Sequence, residues 1–185
     1  FNCSYCLSST IKGVRYFSLE RVKSDLALLM SAGVKEVKFV DRTFNCHEKR
    51  ALEIMRFIIK ENKNTKFHFE ICADLLSEEM LEFLEEIPPG VFDFEIGIQS
   101  TSPAALQAVN RSMNWAKLSH NIRLLASSGK VHLHLDLIAG LPYEDYVTFA
   151  RSFNEVYALS PQVIQLGFLK LLKGSRIRRE AESHA

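Results

Sequence analysis

Cys3 and Cys6 bracket Ser4 and Tyr5, a C-x-x-C pair with an aromatic residue just before the second thiol. Such a pair serves a zinc knuckle, a thioredoxin-like dithiol or part of an iron–sulfur site. Zinc needs a second ligand pair, and the other cysteines, Cys46 and Cys72, are isolated and 26 residues apart. They read as small buried hydrophobes. A redox dithiol follows a strand and opens a helix, whereas the first helical pattern here starts at Ser18, 12 residues after Cys6. Iron–sulfur ligation remains, and it needs thiolates beyond these two.

A second set of chemically capable residues alternates with apolar ones. His68 and Glu70 interleave with Phe67, Phe69 and Ile71; Asp93, Glu95 and Gln99 with Phe92, Phe94, Ile96 and Ile98; His132, His134 and Asp136 with Val131, Leu133, Leu135 and Leu137. Gln165 repeats the pattern later in the chain. Period two places each polar set on one face of a strand. The polar faces would line the lumen of a curled sheet, because burying them without partners costs several kcal/mol. An ordinary barrel with a hydrogen-bonded polar layer is the plainer alternative. His132, His134 and Asp136 could also be two imidazoles and a carboxylate around zinc or iron. Neighbours on one strand face stand about 7 Å apart, which is awkward for one ion. His132 and His134 read better as substrate-side or structural histidines.

The elements that must position these residues follow from the period of the apolar positions. Leu19, Val22, Leu26 and Leu29 predict a helix from an N-cap at Ser18 to a stop at Gly33, and residues 35–40 a short strand. A helix follows over 47–62, then the strand of Phe67, a helix over 77–86 broken by Pro88-Pro89-Gly90, and the strand of Phe92. Trp115, Leu118, Ile122 and Leu125 mark another helix ending near Gly129, before the strand of Val131. Tyr146, Phe149, Phe153 and Val156 predict a last helix face, and 162–168 a last strand. Helices between strands imply right-handed crossovers and a parallel sheet of five strands in one α/β domain. The basic stretch 169–179 reads as a solvated exit helix.

Composition excludes several classes. The chain has 185 residues, 47% of them hydrophobic and 24% charged, with a net charge of +1. That is enough apolar content for a sizeable core and too much for disorder. Near-neutrality gives no electrostatic reason to propose a nucleic-acid partner. No run approaches the roughly 18 apolar residues that span a bilayer. Four cysteines are too few for a disulfide scaffold of this length, so the expected compartment is the cytoplasm. The start at Phe1, without Met, reads as an excised piece of something longer.

With these residues in view, the chain resembles the radical S-adenosylmethionine (SAM) superfamily. Phe1-Asn2-Cys3-Ser4-Tyr5-Cys6 resembles the end of its C-x-x-x-C-x-aromatic-C motif. The first cysteine would lie two residues before Phe1, and the first strand of the family's partial barrel would also precede the chain. Asp41-Arg42-Thr43-Phe44 is similar to the turn of the cobalamin-linked and methylthiotransferase branches. Glu95-Ile96-Gly97-Ile98-Gln99-Ser100 and Asp136-Leu137-Ile138-Ala139-Gly140-Leu141-Pro142 resemble motifs of the coproporphyrinogen-oxidase-like branch.

The resemblance implies a partial TIM-like (βα)6 barrel lacking its first strand. It implies a 4Fe-4S cluster on Cys3 and Cys6 beside Tyr5, and SAM held by Asp41, Glu70, Gln99, Arg111, Asp136 and Ile138. In this assignment Arg111 takes the SAM carboxylate and Asp41 or Glu70 its ammonium. Asp136 faces the ribose, and Ile138 meets the adenine through its backbone, with Leu141 adding apolar wall. The implied activity is an oxidoreductase or transferase that makes a 5′-deoxyadenosyl radical to abstract hydrogen from a small-molecule substrate. Electrons would come from a flavodoxin or ferredoxin, and cobalamin would come through a domain outside these residues. Methylthiotransferase-like and coproporphyrinogen-oxidase-like activities are alternatives, as is a non-catalytic SAM- or nucleotide-binding module that has lost its cluster. With one thiolate missing and a frayed opening segment, residues 1–185 alone are expected to hold a cluster poorly and to be inactive.

Overall fold

The computed structural model describes residues 2–11 and 13–184, and in it five strands form one sheet. They are β1 (Glu36–Lys38), β2 (Lys66–Ile71), β3 (Phe92–Gln99), β4 (His132–Ala139) and β5 (Val163–Phe168). Every neighbouring pair is parallel and the spatial order is the sequence order, β1 to β5. Parallel neighbours need crossovers, which α1 (Leu19–Ser31), α2 (Glu48–Glu61), α3 (Glu78–Glu86), α4 (Pro103–Ala108), α5 (Trp115–Ser128) and α6 (Tyr146–Tyr157) supply. A four-residue turn of helix, α7 (Arg176–Arg179), comes after β5.

Each helix from α1 to α6 starts where the sequence offers an acceptor. Ser18, His47, Ser77, Ser102, Asn114 and Asp145 each take a hydrogen bond from the backbone N–H three residues on. That satisfies an otherwise orphaned amide and contributes about 1 kcal/mol per cap. Gly129 stops α5 in the left-handed conformation, at φ 63°.

The apolar face of the sheet packs under the helices. Phe67, Phe69, Phe92 and Phe94 are fully buried, and Phe39 and Phe44 extend the aromatic cluster with ring centroids 4.7 and 4.4 Å from Phe69. Burying such side chains stabilises the fold by roughly 1.5–3 kcal/mol each. The alternate residues form the polar face that period two predicts. Register stacks them in rows: His68 beside Asp93 and His132, then Glu70 beside Glu95 and His134, then Gly97 beside Asp136 and Gln165.

Four expectations are corrected. The first strand is three residues long, not the predicted six, because the chain leaves the sheet into the turn that carries Asp41. On α6, Tyr146 is 85% exposed and the packed face is Phe149, Ser152, Phe153 and Val156. The exit segment is not simply solvated: Ser175 and Ile177 are buried, and Ile177 N–H bonds to the opening segment. That segment is pinned rather than frayed, with Ser4 N–H donating to Val109 O (2.9 Å), Ile177 N–H to Ser4 O (3.0 Å) and Asn110 Nδ2 to Asn2 O (2.8 Å).

Candidate active site

The strand C-termini open into a cavity of about 200 Å³. Cys3, Tyr5, Cys6, Glu70, Gln99, Arg111 and Asp136 all line it. Active sites of parallel barrels form at this end, where successive loops converge.

The two cysteines sit on one turn, closed by Cys6 N–H donating to Cys3 O at 3.1 Å. Cys3 is buried, and Arg111 Nη1 donates to its sulfur at 3.6 Å. Cys6 Sγ lies 2.7 Å from Ser8 Oγ. Burial disfavours the Arg111 charge, but Tyr5 and Cys3 more than offset that, and its pKa is raised further. Arg111 also donates through Nη2 to the carbonyl of Gly97. Burial raises the pKa of the Tyr5 phenol, while the Arg111 charge opposes the rise.

Backbone geometry explains the Gly-x-Gln sequence here. The β3–β4 register slips between Gly97 and Gln99, and Gln99 adopts φ 74°. A Cβ on residue 97 would collide with the Gln99 amide and stand 3.8 Å from Arg111 Nη2. Glycine at 97 leaves room for the Gln99 amide and the Arg111 guanidinium where they stand, and a side chain there would have to displace the amide.

Acidic groups gather on the opposite wall. Burial and the Glu95 carboxylate push Asp136 up to about 8. Burial and Glu95 likewise raise Glu70. His68 Nε2 lies 3.0 Å from Glu95 Oε2, and His134 Nε2 lies 3.4 Å from Asp136 Oδ1. Burial lowers the His134 pKa even though Glu95 works against it.

Two sequence-derived positions fall elsewhere. Asp41 is exposed and lines a separate groove with Arg15, Phe17 and Arg50. Ile138 belongs to a small apolar cluster with Ala105, Val109, Leu141 and Ile177 beneath Tyr5. Cys46 is exposed beside Tyr16, whereas Cys72 is a buried residue of the cavity wall, its thiol bonded to Asp74 and pushed up to about 12 by burial. The alternation of His68 and Glu70 continues to Cys72, which was the available signal for its place in the wall. Asn45 carries no such signal. Buried, it donates through Nδ2 to Cys72 O and accepts from Cys72 N–H, both at 2.9 Å, clamping the turn after β1 to the end of β2.

These donors suit an iron–sulfur cluster and SAM. Two thiols on one turn can ligate iron, a guanidinium suits a carboxylate, and carboxyl groups suit an ammonium and ribose hydroxyls. Among the described residues no three His, Cys, Asp or Glu side chains converge as a metal site.

The cysteine turn, the guanidinium and the acids thus converge at the strand C-termini of a parallel βα sheet. The chain belongs to the radical SAM superfamily, whose profile matches residues 1–156. That family binds a 4Fe-4S cluster and SAM. The chain is similar to an uncharacterized methyltransferase of Pyrococcus horikoshii, 28% identical over 169 residues, covering 85% of this chain and 36% of that protein. It is also similar to the ribosomal protein uS12 methylthiotransferase RimO of Petrotoga mobilis, 27% identical over 170 residues, covering 83% of this chain and 38% of that one. The chain thus spans little more than a third of these relatives. Among solved structures, the radical SAM methyltransferase TsrM of Kitasatospora setae, with cobalamin and a [4Fe-4S] cluster bound, shares the fold at TM-score 0.84. It is 19% identical, and the match covers 99% of this chain and 35% of that one. The five parallel strands correspond to the partial TIM-like barrel of such proteins. No helix of the described residues is long and apolar enough to cross a membrane.

Proposed function

We propose that residues 1–185 are the core domain of a radical SAM enzyme in which Cys3 and Cys6 ligate the cluster. The convergence of both thiols, Arg111 and the carboxyl groups of Glu70 and Asp136 on one cavity carries this reading. When bound, the reduced cluster and SAM supply one-electron cleavage to a 5′-deoxyadenosyl radical, and that chemistry belongs to the cofactors.

The chain's part is binding and orientation. Arg111, braced on the Gly97 carbonyl, pairs with the SAM carboxylate. Glu70 faces the ammonium, a role for which the exposed Asp41 is poorly placed. Asp136 meets the ribose, and the Ile138 backbone borders the adenine. Tyr5 packs on the apolar cluster below the cysteine turn and keeps water from it. Methyl transfer to a small molecule, with cobalamin held by a separate domain, is the reaction type that the methyltransferase relatives favour. A flavodoxin or ferredoxin would supply the electrons, and four free cysteines suit a reducing cytoplasm.

Anaerobic reconstitution of the full-length protein with iron and sulfide tests this. We expect 4Fe-4S absorbance and dithionite-dependent release of 5′-deoxyadenosine from SAM. A cluster-free protein that still binds SAM would instead identify a non-catalytic SAM-binding module.

A further inference from the structure

The polar face of the sheet continues below the cavity, and every histidine on it is matched with a carboxylate. At the strand N-termini His132 Nδ1 lies 4.0 Å from Asp93 Oδ1, and Lys66 Nζ lies 3.6 Å from Asp93 Oδ2. One row up His68 meets Glu95, and above that His134 meets Asp136. Two residues along a strand advance about 6.6 Å, so the rows at 93, 95 and 97 span roughly 13 Å from the lower edge to the cavity.

At the lower edge the His132 side chain is 39% exposed, whereas Asp93, His68 and Asp136 are 15%, 13% and 17% exposed. Asp93 Oδ1, His134 Nε2 and Asp136 Oδ1 are buried without an aligned hydrogen-bond partner. Buried polar atoms of this kind are satisfied by internal water. Three of them on successive rows of one face mark a path, not scattered defects.

We propose that His132–Asp93, His68–Glu95 and His134–Asp136 form a proton-transfer ladder between the candidate active site and solvent at the opposite end of the sheet. The ladder rests on the cavity being the reaction chamber, but not on which cofactor fills it. It would serve a substrate that gives up or takes up one proton at nitrogen, oxygen or activated carbon, as when a methyl group replaces hydrogen. A proton leaving the substrate passes to the carboxyl pair of Glu95 and Asp136. One proton leaves Asp93 or His132 to water, so the ladder's own charge is unchanged.

Asp136 is the top rung. It is faced by Glu95 from β3, Glu70 from β2, Gln165 from β5, Arg111 from the loop after α4 and His134 of its own strand. Burial and Glu95 hold its proton on at neutral pH.

The test follows ring N–H exchange of His68 and His134 with solvent by NMR in the full-length protein, with Asp136 titrated by carboxyl 13C shifts. Asp93→Asn and His132→Gln, at the far end, should slow exchange at both inner histidines at least tenfold while leaving the Asp136 midpoint in place. Glu95→Gln should lower that midpoint, because it removes the neighbouring charge. Unchanged exchange in both far-end variants would overturn the ladder, as would an Asp136 that titrates in the ordinary carboxylate range. Neither readout needs SAM cleavage, so a protein that fails to form a cluster still returns an answer on the ladder.

Discussion

Asn45→Ala is the perturbation whose cost the structure fixes best. The Asn45 carboxamide makes two 2.9 Å hydrogen bonds to the backbone of Cys72, one in each direction, and the residue is 3% exposed. Alanine would leave the Cys72 N–H buried and unpaired, whereas the Cys72 C=O keeps the Leu75 N–H at 3.1 Å. Leaving one such group without a partner costs about 1–3 kcal/mol. For a chain of 185 residues that lowers Tm by roughly 2–12 °C. The assay is urea unfolding followed by circular dichroism, with a lower midpoint at unchanged slope. Because the clamp joins the Arg42–Thr43 turn to the Cys72 wall, SAM affinity should fall together with stability. A loss below about 0.5 kcal/mol would refute the reasoning, since it would mean that water satisfies the Cys72 N–H unaided.

Three further outcomes follow. Arg111→Ala should weaken SAM binding at least tenfold by calorimetry with Arg111→Lys intermediate, because lysine keeps the charge and loses the fork. Unchanged affinity in Arg111→Ala would remove the carboxylate assignment. Gly97→Ala should displace the Gln99 amide or Arg111 and cut SAM affinity without unfolding the sheet, as read by calorimetry beside circular dichroism. For Asp136, whose folded pKa of about 8 stands above its ordinary value of 3.8, the folded state holds a proton that the unfolded chain has released. Its contribution is fully present below pH 4 and is lost as pH rises towards 8. Asp136→Asn should flatten that decline in urea midpoints, and an unaltered pH profile would contradict the raised pKa.

Much of this was legible in the residues because periodicity is a local property. The apolar alternation of Phe92 to Ile98 named both faces of β3, and the N-cap at Ser18 set the start of α1 within a residue. Parallel order followed from intervening helices. The cavity lining was legible where motif and strand end coincide, as at Glu70, Gln99 and Asp136. What stayed hidden depends on contacts between distant segments. Asn45 finds Cys72 27 residues away, and Ile177 finds Ser4 across nearly the whole chain. Tyr146 fits the apolar period of α6 yet faces out, because Ser152 turns inward to Thr101 and Glu144. Asp41 lies beyond a strand that ends two residues sooner than its apolar pattern suggests, which swings the carboxylate to another groove.

The central claim is that the Cys3–Cys6 turn is a cluster site, and iron content after anaerobic reconstitution tests it most directly. The full-length protein should carry about four irons per chain, with an electron paramagnetic resonance signal after reduction that changes when SAM is added. Cys3→Ala and Cys6→Ala should each lose that iron, whereas Cys46→Ala should keep it. Full iron occupancy in both Cys3→Ala and Cys6→Ala would contradict the account.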